Sequence, residues 1–233
     1  MNKELFIKKV KELNIEIDEK KLEQLNIYMT LLQTENKKYN LTAITKEEDI
    51  YLKHFYDSLT ITKIIKLDKQ KLCDLGTGAG FPGLVLKIVF PKLDVTLIEA
   101  TNKKCEFLKL VINELKLEKI KVINTRAEIY AKDNREVFDI VTARAVAPLK
   151  HLLEYAIPLV KVKGFFIPLK SNIEKEIENI DNYYEKLEIK QINKIEFFLP
   201  IEVSKRTLIM YEKLKETNPI YPRSYNKIKE KDI

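Results

Sequence analysis

The stretch Asp74-Leu75-Gly76-Thr77-Gly78-Ala79-Gly80-Phe81-Pro82-Gly83 holds four of the chain's five glycines. It continues the apolar run that starts at Leu72, a predicted strand, and it opens a predicted helix. Glycine used this sparingly belongs where only glycine serves, in turns that need positive φ and at points where backbone must come close to a ligand or to other backbone. A glycine-rich turn between a strand and a helix is the layout of a nucleotide-cofactor loop.

From Lys71 the chain alternates strand and helix patterns. Strands are predicted at 71–75, 94–99, 120–124, 137–143, 164–169, 189–198 and 205–212, and helices at 81–90, 102–116, 147–162 and 172–186. That alternation argues for an α/β fold, a doubly wound, mainly parallel seven-stranded sheet covered on both faces. The last two strands follow one another around Pro200 with no helix between, so an antiparallel hairpin at the sheet edge is expected. Upstream, residues 1–66 read as a helical lobe without glycine or proline. Leu22, Leu25, Met29 and Leu32 form one apolar stripe, and Leu52, Phe55 and Leu59 form a second, widened by Tyr51 and Tyr56. The helices break at Tyr39–Ala43, and Thr45 with Glu48 fits a capping box for the second stripe. The expected organisation is a lobe at 1–66, a Rossmann-like domain at 67–215 and a basic, loosely held tail at 216–233.

Composition narrows the setting. The formal net charge is +7, from 42 basic and 35 acidic residues, which suits a phosphate-rich partner. No apolar run reaches the length of a membrane span, and the N-terminus lacks the regions of a signal peptide. Cys73 and Cys105 have no framework spacing and read as small buried hydrophobes in a reducing compartment, so a cytoplasmic location is expected. No metal site is expected, and the predicted helices leave no spare apolar face, which points to a monomer.

Two fingerprints overlap in the loop. Gly78 to Gly83 satisfies the G-x-G-x-x-G dinucleotide pattern, and Asp74 to Gly80 satisfies the D-x-G-x-G-x-G pattern associated with S-adenosylmethionine-dependent methyltransferases. Glu99 ends the next strand about 20 residues on, where a carboxylate suits the two hydroxyls of a ribose. Both cofactor classes carry that ribose. The methyl donor is favoured because Asp74 suits a ligand bearing an ammonium group and would repel pyrophosphate. The alternating glycines also make a wide loop, and a whole helical lobe precedes them. A nicotinamide-dependent oxidoreductase and a non-catalytic RNA-binding assembly factor stand as the alternatives.

Further matches extend beyond the loop: Tyr39-Asn40-Leu41-Thr42, His54 to Leu59, the Gly-Phe-Pro-Gly ending at Gly83, Thr125-Arg126-Ala127-Glu128, Phe138-Asp139 and Arg144-Ala145-Val146-Ala147-Pro148-Leu149. On these the chain resembles the bacterial small-subunit ribosomal RNA methyltransferase G family, also called glucose-inhibited division protein B. The resemblance covers roughly residues 20 to 223. It implies a class I methyltransferase fold and transfer of methyl from S-adenosylmethionine to N7 of a guanine in 16S rRNA, in the small ribosomal subunit or its precursor. It implies cofactor contacts at Gly76, Gly78, Phe81, Glu99, Ala100, Thr101, Ala127, Glu128 and Arg144. Two departures stand out. Leu169-Lys170-Ser171 replaces the family's Leu-Lys-Gly, and the tail after Tyr221-Pro222-Arg223 lacks the usual Gly-x-Pro. Arg126, Lys170 and Arg223 are the RNA-facing candidates.

Two decoys are set aside. His54, Asp57 and Ser58 lie about one helical turn apart and make no nucleophile elbow or oxyanion hole, so His54 is expected as a buried, hydrogen-bonded packing residue. Asn218-Pro219-Ile220-Tyr221 resembles an amino-methylation motif but lies far from the fourth strand, and it is expected to be a turn. Guanine N7 carries a lone pair and no proton, so no catalytic acid or base is assigned.

Overall fold

The computed structural model describes residues 1–171, 173–178 and 180–233. Its centre is a seven-stranded sheet: β1 (Lys71–Leu75), β2 (Asp94–Glu99), β3 (Ile120–Asn124), β4 (Phe138–Arg144), β5 (Val160–Lys170), β6 (Ile189–Phe198) and β7 (Lys205–Lys213), in the order β3-β2-β1-β4-β5-β7-β6. The first five strands run parallel to one another. β6 and β7 form the expected antiparallel hairpin, and it is β7 that pairs with β5.

The period of two along the strands sorts their side chains into two cores. Leu72, Leu97, Ile140, Ile167 and Leu208 face one side, with the helices Gly83–Val89 and Asn102–Glu114 and the helical lobe. Cys73, Ile98, Val141, Phe166 and Ile209 face the other, with the helices Ala127–Asp133, Leu149–Ala156 and Asp181–Lys186. Both cysteines are buried and free. Because the order reverses between β1 and β4, the loops after these two strands leave on opposite faces and open a crevice at their carboxyl ends.

The lobe begins with helices Lys3–Lys11 and Glu19–Tyr39, whose N-caps Asn2 and Asp18 accept from Leu5 N and Lys21 N. The second helix ends at Asn40 in the left-handed conformation that asparagine tolerates. A continuous winding then runs from Glu47 to Lys63, with a π-helical segment at Ile50–Tyr56 that buries every residue but Lys53. π segments recur at functional sites, and this one carries His54.

Four expectations are corrected. The capping box at Thr45 is not formed. The helix starts at Glu47 after Lys46, because the Thr45 carbonyl is tied to Gln33 of the preceding helix at 2.9 Å. The helix expected at 147–162 spans Leu149–Ala156 and closes in a 3-10 turn at Ile157–Leu159. Pro158 has no N–H to continue it, and β5 starts at Val160. Among the described residues, the helix expected at 172–186 is confined to Asp181–Lys186. Asn172 and Asn179 lie outside the described residues, and Glu176 is drawn away to accept from Leu149 N at 2.5 Å. The tail, finally, is docked. Arg135 donates to the carbonyls of Tyr221 (2.6 Å) and Thr217 (2.5 Å), and Ile228, on the helix Tyr225–Glu230, joins the second core. Asn218–Tyr221 is a turn closed by Tyr221 N to Asn218 O.

Candidate active site

The loop after β1 is organised from below by Asp74, which is fully buried. Its Oδ2 accepts from Thr77 Oγ1 at 2.6 Å and Gly83 N at 2.7 Å, tying the loop's start to the helix that follows. Its Oδ1 has no partner among the described residues. At the end of β2, Glu99 accepts from Gly78 N at 3.0 Å and Thr101 N at 2.8 Å. A carboxylate offers about four lone-pair positions, so Glu99 keeps acceptor capacity beyond these two bonds.

Two cavities open at the carboxyl ends of the strands. The larger, about 580 Å³, is lined by Gly76, Glu99, Ala100, Ala127, Glu128 and Val146, among others. The smaller, about 350 Å³, is lined by Lys53, His54, Asp57, Arg144, Lys170 and Arg206, among others. Ala145, with φ +55°, borders both and is their shared wall. Past the register shift between Phe138 and Ile140, the even-numbered residues of β4 point toward the lobe, and Arg144 does too, donating to Lys53 O (2.9 Å), Asp57 Oδ2 (3.3 Å) and His54 Nδ1 (3.2 Å). Arginine only donates, so His54 Nδ1 is unprotonated and Nε2–H donates to Thr42 Oγ1 at 3.0 Å. Burial, reinforced by the Arg144 charge, pushes the His54 pKa down to about 3, so the ring is neutral.

A model of the GidB family, described as rRNA small subunit methyltransferase G, matches residues 21–202. The chain belongs to this family. Its relatives include proteins named ribosomal RNA small subunit methyltransferase G. One from Mesoplasma florum is 48% identical over 207 residues, 88% of this chain and 87% of its own. Another from Thermoanaerobacter sp. (strain X514) is 44% identical over 231 residues, 97% of this chain and 95% of its own. Among solved structures, an S-adenosylmethionine-dependent methyltransferase from Aquifex aeolicus aligns with a TM-score of 0.53 at 14% identity, over 77% of this chain and 97% of its own. M. jannaschii TYW2 in complex with AdoMet aligns with a TM-score of 0.53 at 19% identity, over 64% and 72%. These two likenesses carry the fold alone, the class I methyltransferase α/β architecture. Membership of a methyltransferase family sets aside the nicotinamide reading and the non-catalytic one.

Within that family frame, the structure gathers Gly76, Glu99, Ala100, Ala127 and Glu128 around the larger cavity, with Arg126 on its wall. Gly78 and Thr101 meet at Glu99 through their N–H groups. Phe81 and Arg144 are placed elsewhere. Phe81 stacks on His54 with ring centroids 4.0 Å apart, and the Arg144 guanidinium lies 5.2 Å over the Phe81 ring. Lys170 and Arg223, expected to face RNA, are held by carboxylates. Lys170 pairs with Glu176 at 2.7 Å, and Arg223 makes a two-pronged contact with fully buried Glu154 at 2.8 and 2.9 Å. Arg126 is more exposed, although it pairs with Glu128 at 2.5 Å. Sequence reasoning missed Ala145 and Val146 as cavity walls, although both lie in the Arg144–Leu149 run that carried the resemblance. It also missed Arg206, which no local pattern marks.

Asp74, expected to face a ligand's ammonium, touches neither cavity and serves the loop instead. Burial pushes its pKa up to about 7, against the opposing pull of Thr77 and Gly83. A raised folded-state pKa stabilises the protein fully below the unfolded value near 3.9 and ceases to do so as pH rises toward 7. Asp74→Asn keeps an oxygen for the two donors and removes this titration. The variant is therefore expected to gain stability relative to the native protein by about 1.4 kcal/mol per pH unit between pH 4 and 7. Urea unfolding midpoints across that range measure it, and a pH-independent difference between the two proteins refutes it.

Proposed function

We propose that this protein transfers a methyl group from S-adenosylmethionine to N7 of a guanine in 16S rRNA, within the small ribosomal subunit or its precursor, acting in the cytoplasm as a monomer. The observation that carries this reading is the pair of cavities meeting at Ala145, one for a nucleoside cofactor and one for an acceptor. Gly76 supports the fit on the cofactor side, since a Cβ there would lie 2.7 Å from the Val146 side chain and narrow the crevice. When bound, S-adenosylmethionine supplies an electrophilic methyl group on a sulfonium.

The chain's own residues then have separable tasks. The Gly76 backbone lets the amino-acid part approach closely, Glu99 accepts from the ribose hydroxyls, and Ala127 and Glu128 border the adenine. In the second cavity Lys53, Arg144, Lys170 and Arg206 make a cationic surround for a nucleotide, offset by Asp57 and Glu176. His54 is neutral with both ring nitrogens engaged, so it neither takes nor gives a proton near neutral pH. That suits an acceptor atom with a lone pair and no proton to remove, where alignment and a fixed electrostatic surround carry the rate. The guanine must be unpaired or flipped to enter. Exposed lysines and Arg126 are assigned to the phosphate backbone, with Lys170 on the acceptor cavity wall.

The test is transfer from labelled S-adenosylmethionine to small subunits from cells lacking the modification, followed by nucleoside digestion and mass spectrometry. Label in 7-methylguanosine is expected, with KM for the subunit rising steeply with salt as phosphate contacts are screened. Label in another nucleoside, or none in RNA, overturns the proposal.

A further inference from the structure

The matched family region ends at residue 202, yet the larger cavity is closed in part by Tyr225 and Lys229, on the last helix of the chain. We infer that the C-terminal helix is a fixed wall of the cofactor site, and that the Tyr225 ring packs against the adenine end of the bound nucleoside. This rests on the cofactor reading above.

Position comes first. The Arg126 guanidinium lies 3.9 Å over the Tyr225 ring. Arg126 directly precedes Ala127 and Glu128, so the ring stands at the end of the cavity that those two residues border. Rigidity comes next. The residues leading into the helix are anchored where Arg223 donates to Glu154 through Nε, Nη2 and its own N–H, the last at 2.8 Å. Past the ring, Ile228 is buried in the second core, and Lys150 pairs with Asp232 at 2.6 Å. Lys229 Nζ lies 5.1 Å from the ring centroid, and an aromatic side chain held in this way meets a ligand at the cavity wall with little ordering cost. Purines stack well on aromatic rings, and such contacts are worth roughly one to two orders of magnitude in affinity when removed by alanine. Tyr225 is 38% exposed, so its truncation opens the wall without emptying the core.

The experiment is calorimetric titration of the full chain with S-adenosylmethionine, S-adenosylhomocysteine and adenosine, comparing the native protein with Tyr225→Ala and Tyr225→Phe. Tyr225→Ala is expected to weaken all three ligands by a common factor of about tenfold, because the contact is with the base they share. Tyr225→Phe is expected to bind within about twofold of native, since the ring and not the hydroxyl makes the wall. Circular dichroism melting confirms that each variant is folded. If native protein binds and Tyr225→Ala binds equally well, this inference fails while the cofactor reading stands. If the alanine loss spares adenosine, the ring lies at another part of the ligand and the inference also fails. Native protein that binds none of the three overturns both.

Discussion

Gly76→Ala is expected to lower affinity for S-adenosylmethionine about a hundredfold, while Gly78→Ala loses no more than about tenfold. The two glycines have nearly the same φ, +64° and +62°, so the left-handed penalty of about 1–2 kcal/mol is common to both. They differ in what surrounds the added methyl. At Gly78 the nearest atom is the Gly76 carbonyl at 4.0 Å, an ordinary contact. At Gly76 a Cβ would stand 2.7 and 2.8 Å from the two Val146 methyls, closer than real contacts come. Val146 is 40% exposed and lines the larger cavity, so the space into which it yields is the space the ligand needs. Overpacking of this kind costs about 1–3 kcal/mol, and its upper end corresponds to roughly a hundredfold in affinity. Calorimetric titration of both variants decides it. Equal losses in the two would mean that backbone strain, and not the Val146 contact, governs the site.

The glycine loop, the parallel strands and Glu99 at the end of β2 were legible because each is written in consecutive residues: a strand alternates, a loop needs glycine, and an acid follows at a set distance. The larger cavity's floor came with them. The second cavity was not legible. Its defining contacts join Asp57 to Arg144 and to Arg206, pairs 87 and 149 residues apart, and a single sequence carries no signal for such meetings. Arg144 looked like a ligand-facing cation because it ends a strand above the sheet. The strand's alternation turned it toward the helical lobe. The engagement of Arg223 by Glu154 was hidden for a related reason: Glu154 lies on a buried helix face and gains an arginine only when the tail folds over it. The misplaced cap at Thr45 shows the opposite weakness, where a local pattern was complete and one tertiary hydrogen bond from Gln33 overrode it.

Asp57→Ala is expected to destabilise the fold by about 3–5 kcal/mol and to lower the melting temperature by roughly 10 °C or more. Asp57 is 4% exposed, and two guanidiniums share its carboxylate. Arg206 Nε donates to both oxygens at 3.0 and 3.1 Å, and Arg144 Nη1 donates to Oδ2 at 3.3 Å. Their side chains are 17% and 14% exposed, so neither can turn fully into water once the carboxylate is gone. The alanine variant therefore holds two mostly buried cations that repel each other, which is the costly way to break a buried pair. Asp57 also joins three parts of the molecule, the helical lobe, β4 and β7, so its loss frees Arg144 and with it the adjoining wall at Ala145. Turnover is accordingly expected to fall further than cofactor affinity, since the smaller cavity is built from this cluster while the base and ribose contacts lie beyond the wall. Adding Arg206→Met to the alanine variant removes one stranded charge and is expected to restore part of the stability, an outcome that a purely steric role for Asp57 does not produce. A loss under about 1 kcal/mol for the single variant, the scale of an exposed ion pair, would mean that water reaches the cluster and that it does not brace the wall.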